Sequence, residues 1–302
     1  MPGRVTHNRR RLRPLWSQRN NAAMTASRAP WLLVGLPILF LLAFFVAPNA
    51  LLLTASAFKS DAQVLTNELT TENYVFIFGR ALYRRAIYRT FWIGGSVGVL
   101  VVLLAYPVAF FLTRTASRWK GPLIALILAP LLASVVVRTY GWWVLLNRDG
   151  AVNGLLGAAG IVDQPLDMLP SSGAIILGLT HALLPYGVLT IMAALSGLNP
   201  NVERAAMSLG AGRFRTFIEV TLPLSMTGIL AAFLLAFSLA ISAYATPAIL
   251  GGPATETLAT LIYKFMVSLV DWSIGSALGT VLIAVSLLLV WAGTVLGARR
   301  TA

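Results

Sequence analysis

Six long runs of apolar residues constrain this chain more tightly than any other feature. They cover residues 31–58, 91–113, 122–146, 172–198, 222–250 and 273–296. A hydrocarbon core about 30 Å thick takes about 20 helical residues to cross, and each run is at least that long. Peptide groups find no water there, so continuous runs of this length cross as helices. A soluble chain would expose a polar face every turn or two and carry about a quarter charged residues. Here 11% are charged and 58% are hydrophobic. The expected fold class is an all-α membrane protein with six transmembrane helices. The Gly- and Asp-rich stretch between the third and fourth runs reads as a loop with one short interfacial helix.

The charge is distributed unevenly. An even number of spans puts both termini on one side, with a basic tail over 1–30 and a short end over 299–302. The tail carries seven arginines and no acid. Arg114, Arg118, Lys120, Arg204, Arg213, Arg215, Arg299 and Arg300 join it on that face, against only Glu203 and Glu219. That face therefore accounts for the whole formal charge of +13, and the positive-inside rule makes it cytoplasmic. The termini are expected in the cytoplasm of a bacterial cell, with the 31–298 domain crossing its inner membrane many times. The tail reads as an orientation signal touching anionic headgroups, with no nucleic-acid partner expected.

Several chemistries are excluded. The chain has no cysteine and two histidines, His7 and His181, which leaves no thiolate or His-rich metal site. It contains no GxxxxGK[ST] phosphate loop and no HExxH. Within the spans, Arg138 and His181 are nearly the only ionisable groups, whereas machines driven by protons or voltage move intramembrane charge. Work done here is expected to be driven by another subunit.

Residues 199–223, NPNVERAAMSLGAGRFRTFIEVTLP, lie between the fourth and fifth spans. Asn199 suits an N-cap, Pro200 the first helical position and Glu203 the first turn. Gly210, Ala211 and Gly212 should break or bend the helix. A second helical stretch should align Phe214, Phe217 and Val220, and Leu222-Pro223 opens the next span. Such a cassette suits a short helix in another protein's groove. An interfacial helix lying on lipid remains open beside it.

This stretch resembles the EAA motif of ABC-importer permeases. Arg204, Ala205 and Ala206 occupy the motif's first three positions, Gly210 its glycine and Leu222-Pro223 its apolar-Pro end. Arg204 stands where the motif has its acid, with Glu203 one position earlier. Residues 70–94, 137–156 and 245–278 look like the spermidine/putrescine branch. The resemblance implies the type I importer permease fold, with 199–223 as a cytoplasmic coupling segment. Ascribed to coupling are Glu203, Arg204, Ala205, Ala206, Gly210, Ala211, Phe214, Phe217, Leu222 and Pro223. It further implies a second, related permease, two ATPase subunits that bind ATP and Mg, and an extracytoplasmic solute-binding protein. No cofactor or catalytic site is expected in this chain.

A polyamine path needs aromatic faces and carboxylates. The candidates are Tyr140, Trp142, Trp143, Tyr186, Tyr244, Asp271 and Trp272, and each aromatic could equally be an interface anchor or packing residue. Asp149 and Glu256 read as loop residues facing the binding protein. Arg138 is expected to pair with a carboxylate or helix-end carbonyls, His181 to be a packed polar residue, and Pro107, Pro130, Pro185 and Pro247 to kink their spans. Opines, phosphonates or other solutes, a secondary transporter, and a membrane scaffold or enzyme remain open as alternatives.

Overall fold

A computed structural model describes residues 29–61 and 64–298. The basic tail up to residue 28 and the C-terminal residues 299–302 lie outside the described residues. The chain divides into two compact units, Met1–Leu52 and Leu53–Ala302. In the first, α1 (Ala29–Leu41) continues through a π turn at Leu42–Val46 into α2 (Ala47–Ala55). The stretch Val34–Ala55 is 22 residues long and apolar enough to cross a bilayer.

The second unit is built on α4 (Ala81–Arg114), α8 (Ser172–Ser196) and α12 (Met226–Ser242), which pack against one another. Lipid tails are as apolar as these side chains, so close van der Waals packing must hold them together. Small residues permit it. A Cβ on Gly228 would lie 2.2 Å from the Ala194 Cβ, and one on Gly187 2.4 Å from Val101 Cγ1. Around these approaches lie Val97, Val101, Ala105, Ile175, Ile191 and Ala236, all fully buried. Helices α4 and α8 stay unbroken through Pro107 and Pro185.

Beyond α4 and α8, α15 (Trp272–Ala298) also contains a long apolar crossing helix. The third and fifth apolar runs do not form single straight helices, as a six-span hydropathy reading expects. The third divides into α5 (Lys120–Leu132) and α6 (Val135–Leu146). The segment from Val135 to Ala158 bends 96° away from α5. Ala133 and Ser134 are extended there, which leaves the last carbonyls of α5 without helical partners. Arg138 donates to the Pro130 carbonyl at 2.6 Å, so the intramembrane guanidinium satisfies a helix end.

The fifth run begins with a 61° bend between Arg213–Leu224 and Met226–Ser242. It breaks again after Ser242 and resumes as α13 (Ala245–Leu250). Pro247 has no N–H to give the Ala243 carbonyl, but in the first turn of a new helix none is needed.

The end of the bundle where α4 and α8 begin is not purely helical. A two-stranded antiparallel hairpin, β1 (Phe58–Asp61) and β2 (Val64–Leu69), precedes α3 (Glu72–Gly79). Buried Asn73 fixes this end, its amide within 2.9 Å of the Ser56 carbonyl, 3.0 Å of the Phe58 carbonyl and 2.7 Å of Ser273 Oγ. The loop before α8 holds the expected short helix, α7 (Ala151–Ala158). Asn153 ties it down by donating to the Leu166 carbonyl and accepting from the Leu166 N–H.

Gly228→Ala should force α8 and α12 apart at a cost of about 1–3 kcal/mol, as overpacking does. Gly95→Ala meets nothing within 4 Å and should leave stability unchanged or slightly raised. Melting temperatures of the two variants in detergent check this; equal values would show that the glycine contact does not hold the bundle.

Candidate functional site: the cassette between the fourth and fifth spans

The cassette opens as the sequence suggests. Asn199 Oδ1 accepts from the Asn201 N–H at 3.0 Å, Pro200 takes the first helical position, and α9 runs Pro200–Ser208. Its end is a Schellman motif. The Ala211 N–H reaches the Ala206 carbonyl at 3.1 Å and the Gly210 N–H the Met207 carbonyl at 3.0 Å. Gly210 adopts φ +93°, which side-chain-bearing residues rarely adopt. The chain then turns into α10 (Arg213–Thr216), a π turn at Phe217–Thr221 and α11 (Leu222–Leu224).

The second half is not one straight helix, and its aromatics part company. Phe214 is 77% exposed. Phe217 turns inward, its ring edge-on to Tyr106 at 5.8 Å and Phe110 at 5.4 Å. Tyr106 is held in turn by Ser225 Oγ at 2.9 Å. Leu209, beside the turn, is 90% exposed. The cassette therefore fastens one aromatic to α4 and presents Leu209 and Phe214 outward.

Glu203 provides a second fastening. Its carboxylate pairs with Arg114 at the end of α4 and accepts from Thr221 Oγ1 at 2.8 Å. One side chain thus joins α9, α4 and the π turn. The Glu203 side chain is only 19% exposed, so this pair is screened less than a surface ion pair. A cleft of about 550 Å³ lies here, lined by Phe110, Arg114, Glu203, Met207 and Phe214 among others. Arg204 takes no part: it is exposed and reaches Asn201 Oδ1 at 3.3 Å. Ala205 is exposed and Ala206 and Ala211 half-buried, while Leu222 packs into the core beside Phe217 and Pro223 is exposed.

The path candidates do not form one cluster. Trp142 donates its indole N–H to His181 Nδ1 at 3.2 Å, which makes a packed polar pair. Tyr140, Trp143 and Tyr186 are exposed on this subunit. Tyr244 sits at the break between α12 and α13, stacked on Tyr263 at 4.4 Å. Asp271 caps α15 instead of standing free, its Oδ1 accepting from the Ile274 N–H at 3.1 Å, with exposed Trp272 beside it. Glu256 pairs with Lys264 at 2.9 Å.

Among relatives, a spermidine/putrescine transport system permease protein, PotB of Haemophilus influenzae, is 30% identical over 254 residues. The match covers 83% of this chain and 88% of that protein. The chain belongs to the PotB-like permeases of ABC transporters. YdcU of Escherichia coli K12, an inner membrane ABC transporter permease protein, is 32% identical over 210 residues, 65% of this chain and 66% of its own. No protein-family model matches. Among solved structures, a bacterial ABC transporter involved in import of the acidic polysaccharide alginate superposes with a TM-score of 0.74. The match covers 96% of this permease and all of that chain, at 20% identity, so it bears on the fold alone.

Within this permease, sequence reading missed Arg114, Thr221, Tyr106 and Phe110, which hold the cassette from α4 and the π turn. Arg114 is separated from Glu203 by 89 positions, and no local pattern links them. A double-mutant cycle on Glu203→Gln and Arg114→Gln should show a coupling of about 1 kcal/mol in thermal unfolding, as contacting pairs do. Additive effects would mean the pair contributes nothing.

Proposed function

We propose that this chain is the membrane-spanning subunit of an ATP-driven importer for polyamines such as spermidine and putrescine. The exposed pair Leu209 and Phe214 carries the reading. Two large apolar side chains held outward on a short, charged and doubly fastened cassette suit a protein groove. A partner ATPase would receive them, binding ATP and Mg itself, and its closure would move the cassette and rock the bundle between outward and inward access. Two such ATPases, a second related permease and an extracytoplasmic solute-binding protein complete the assembly. The basic excess on the cassette side supports a cytoplasmic cassette and cytoplasmic termini in a bacterial inner membrane. The domain spans 31–298, between a basic tail over 1–30 and the short end at 299–302.

The relatives' names support a polyamine, as do the aromatic faces available to a flexible polycation. Tyr244, stacked on Tyr263 at a helix break, offers the best-placed face, with Tyr140, Trp143, Tyr186 and Trp272 as others. Trp142 orients His181, and Asp271 contributes its remaining carboxylate oxygen.

In proteoliposomes containing the whole importer, spermidine-loaded binding protein should stimulate ATP hydrolysis. Leu209→Ser with Phe214→Ser should lower that stimulation at least about tenfold, the equivalent of about 1.4 kcal/mol, without changing the permease's melting temperature. Unchanged stimulation would rule out docking through this pair. A binding protein that binds no polyamine would remove the substrate assignment and leave the docking test intact.

A further inference from the structure

Outside the face that carries the net charge, the remaining eight basic and eight acidic residues cancel in number but not in space. Arg80, Arg84, Arg85 and Arg89 gather within ten residues at the beginning of α4. Among the described residues, none of the four forms a salt bridge with a carboxylate. Two are held by backbone oxygens instead. Arg84 Nη1 donates to the Phe78 carbonyl at 2.8 Å and the Gly79 carbonyl at 3.3 Å, and Arg89 Nη1 to the Glu256 carbonyl at 3.1 Å. Arg80 stacks on Phe76, 3.7 Å from its centroid. Arg84, Arg85 and Arg89 line one open cavity of about 490 Å³ with Tyr88, Trp92 and Ser172. Guanidinium groups fixed by carbonyls keep their charge and their remaining donors, which suits the oxygens of a phosphate.

The depth of this cavity narrows the ligand. Helix α4 has 34 residues, roughly 50 Å at 1.5 Å per residue, well beyond the hydrocarbon thickness of about 30 Å. Its apolar run begins at residue 91, so Arg89 stands about half a turn and Arg85 under two turns outside the hydrocarbon, at headgroup level. Tyr88 is 71% exposed and Trp92 57% exposed, as befits an interfacial belt. Below them the same helical stripe continues through Val99 and Leu103, both exposed and apolar. A soluble acidic protein would match only the charged tip. An amphiphile matches both parts.

We propose that this cavity binds the phosphate of an anionic phospholipid, with its acyl chains lying along Val99 and Leu103. The site lies at the end of the bundle opposite the cassette and is independent of the transported solute. Native mass spectrometry of the full-length permease, titrated with phosphatidylglycerol or phosphatidylcholine in detergent, reads it directly. Phosphatidylglycerol should bind preferentially, and Arg85→Gln should weaken it about fivefold, the worth of one arginine at an anionic surface. Arg118→Gln, a basic loss at the cassette end, should change it less and so corrects for general electrostatics. Three results would overturn the proposal. One is equal binding of the two lipids, or no larger an effect at Arg85 than at Arg118. Another is displacement of the lipid by millimolar inorganic phosphate, which would assign the cavity to a soluble anion. The third is loss of solute-binding-protein docking in Arg85→Gln with lipid retention unchanged, which would assign it to an acidic protein.

Discussion

The close approach of α4, α8 and α12 is the contact on which the rest of this permease depends. Gly187 and Gly228 leave no room for a Cβ, and that absence lets three helices share one core without a hydrophobic driving force between them. Both functional ends hang from this bundle. At one, Glu203 and Phe217 bind the cassette to the last turns of α4. At the other, Asn73 and Thr90 join α4 and its neighbours to α14 (Leu258–Tyr263) and α15, Thr90 Oγ1 accepting from the Leu258 N–H at 2.8 Å. A displacement of the cassette is therefore delivered to a long helix packed along much of its length.

The broken spans serve a different end. In hydrocarbon, a helix can stop only where its orphaned carbonyls find donors. Arg138 supplies one at the end of α5, and Pro247 opens α13 without a missing donor. Both breaks fall beside the aromatic candidates for a solute path: Tyr140 and Trp142 follow the first, and Tyr244 occupies the second. Irregular backbone at such depth belongs where it lines a cavity or is covered by protein.

Much of this was legible in the sequence. Apolar runs announced the crossing helices because the bilayer imposes a single length and a single backbone solution. Asn199, Pro200 and Gly210 announced the cassette's boundaries because capping is local chemistry. The breaks at Ser134 and Ala243 were hidden, since hydropathy does not fall where a helix turns inside an apolar environment. Phe214 and Phe217 looked equivalent by spacing, and only the π turn and the rings of Tyr106 and Phe110 separate them. The partner of Glu203 was illegible for the same reason: it comes from another span. The displaced acid nevertheless keeps a structural task, while Arg204, in the motif's acidic position, faces outward.

If the cassette docks as proposed, Leu209 and Phe214 meet an ATPase while Phe217 stays with its own subunit. The chain contains no cysteine, so single cysteines at these positions report contact without background. Thiol cross-linking to the co-expressed ATPase should occur with Leu209→Cys and Phe214→Cys and fail with Phe217→Cys. Cross-linking at all three alike, or at none, would contradict the docked cassette described above.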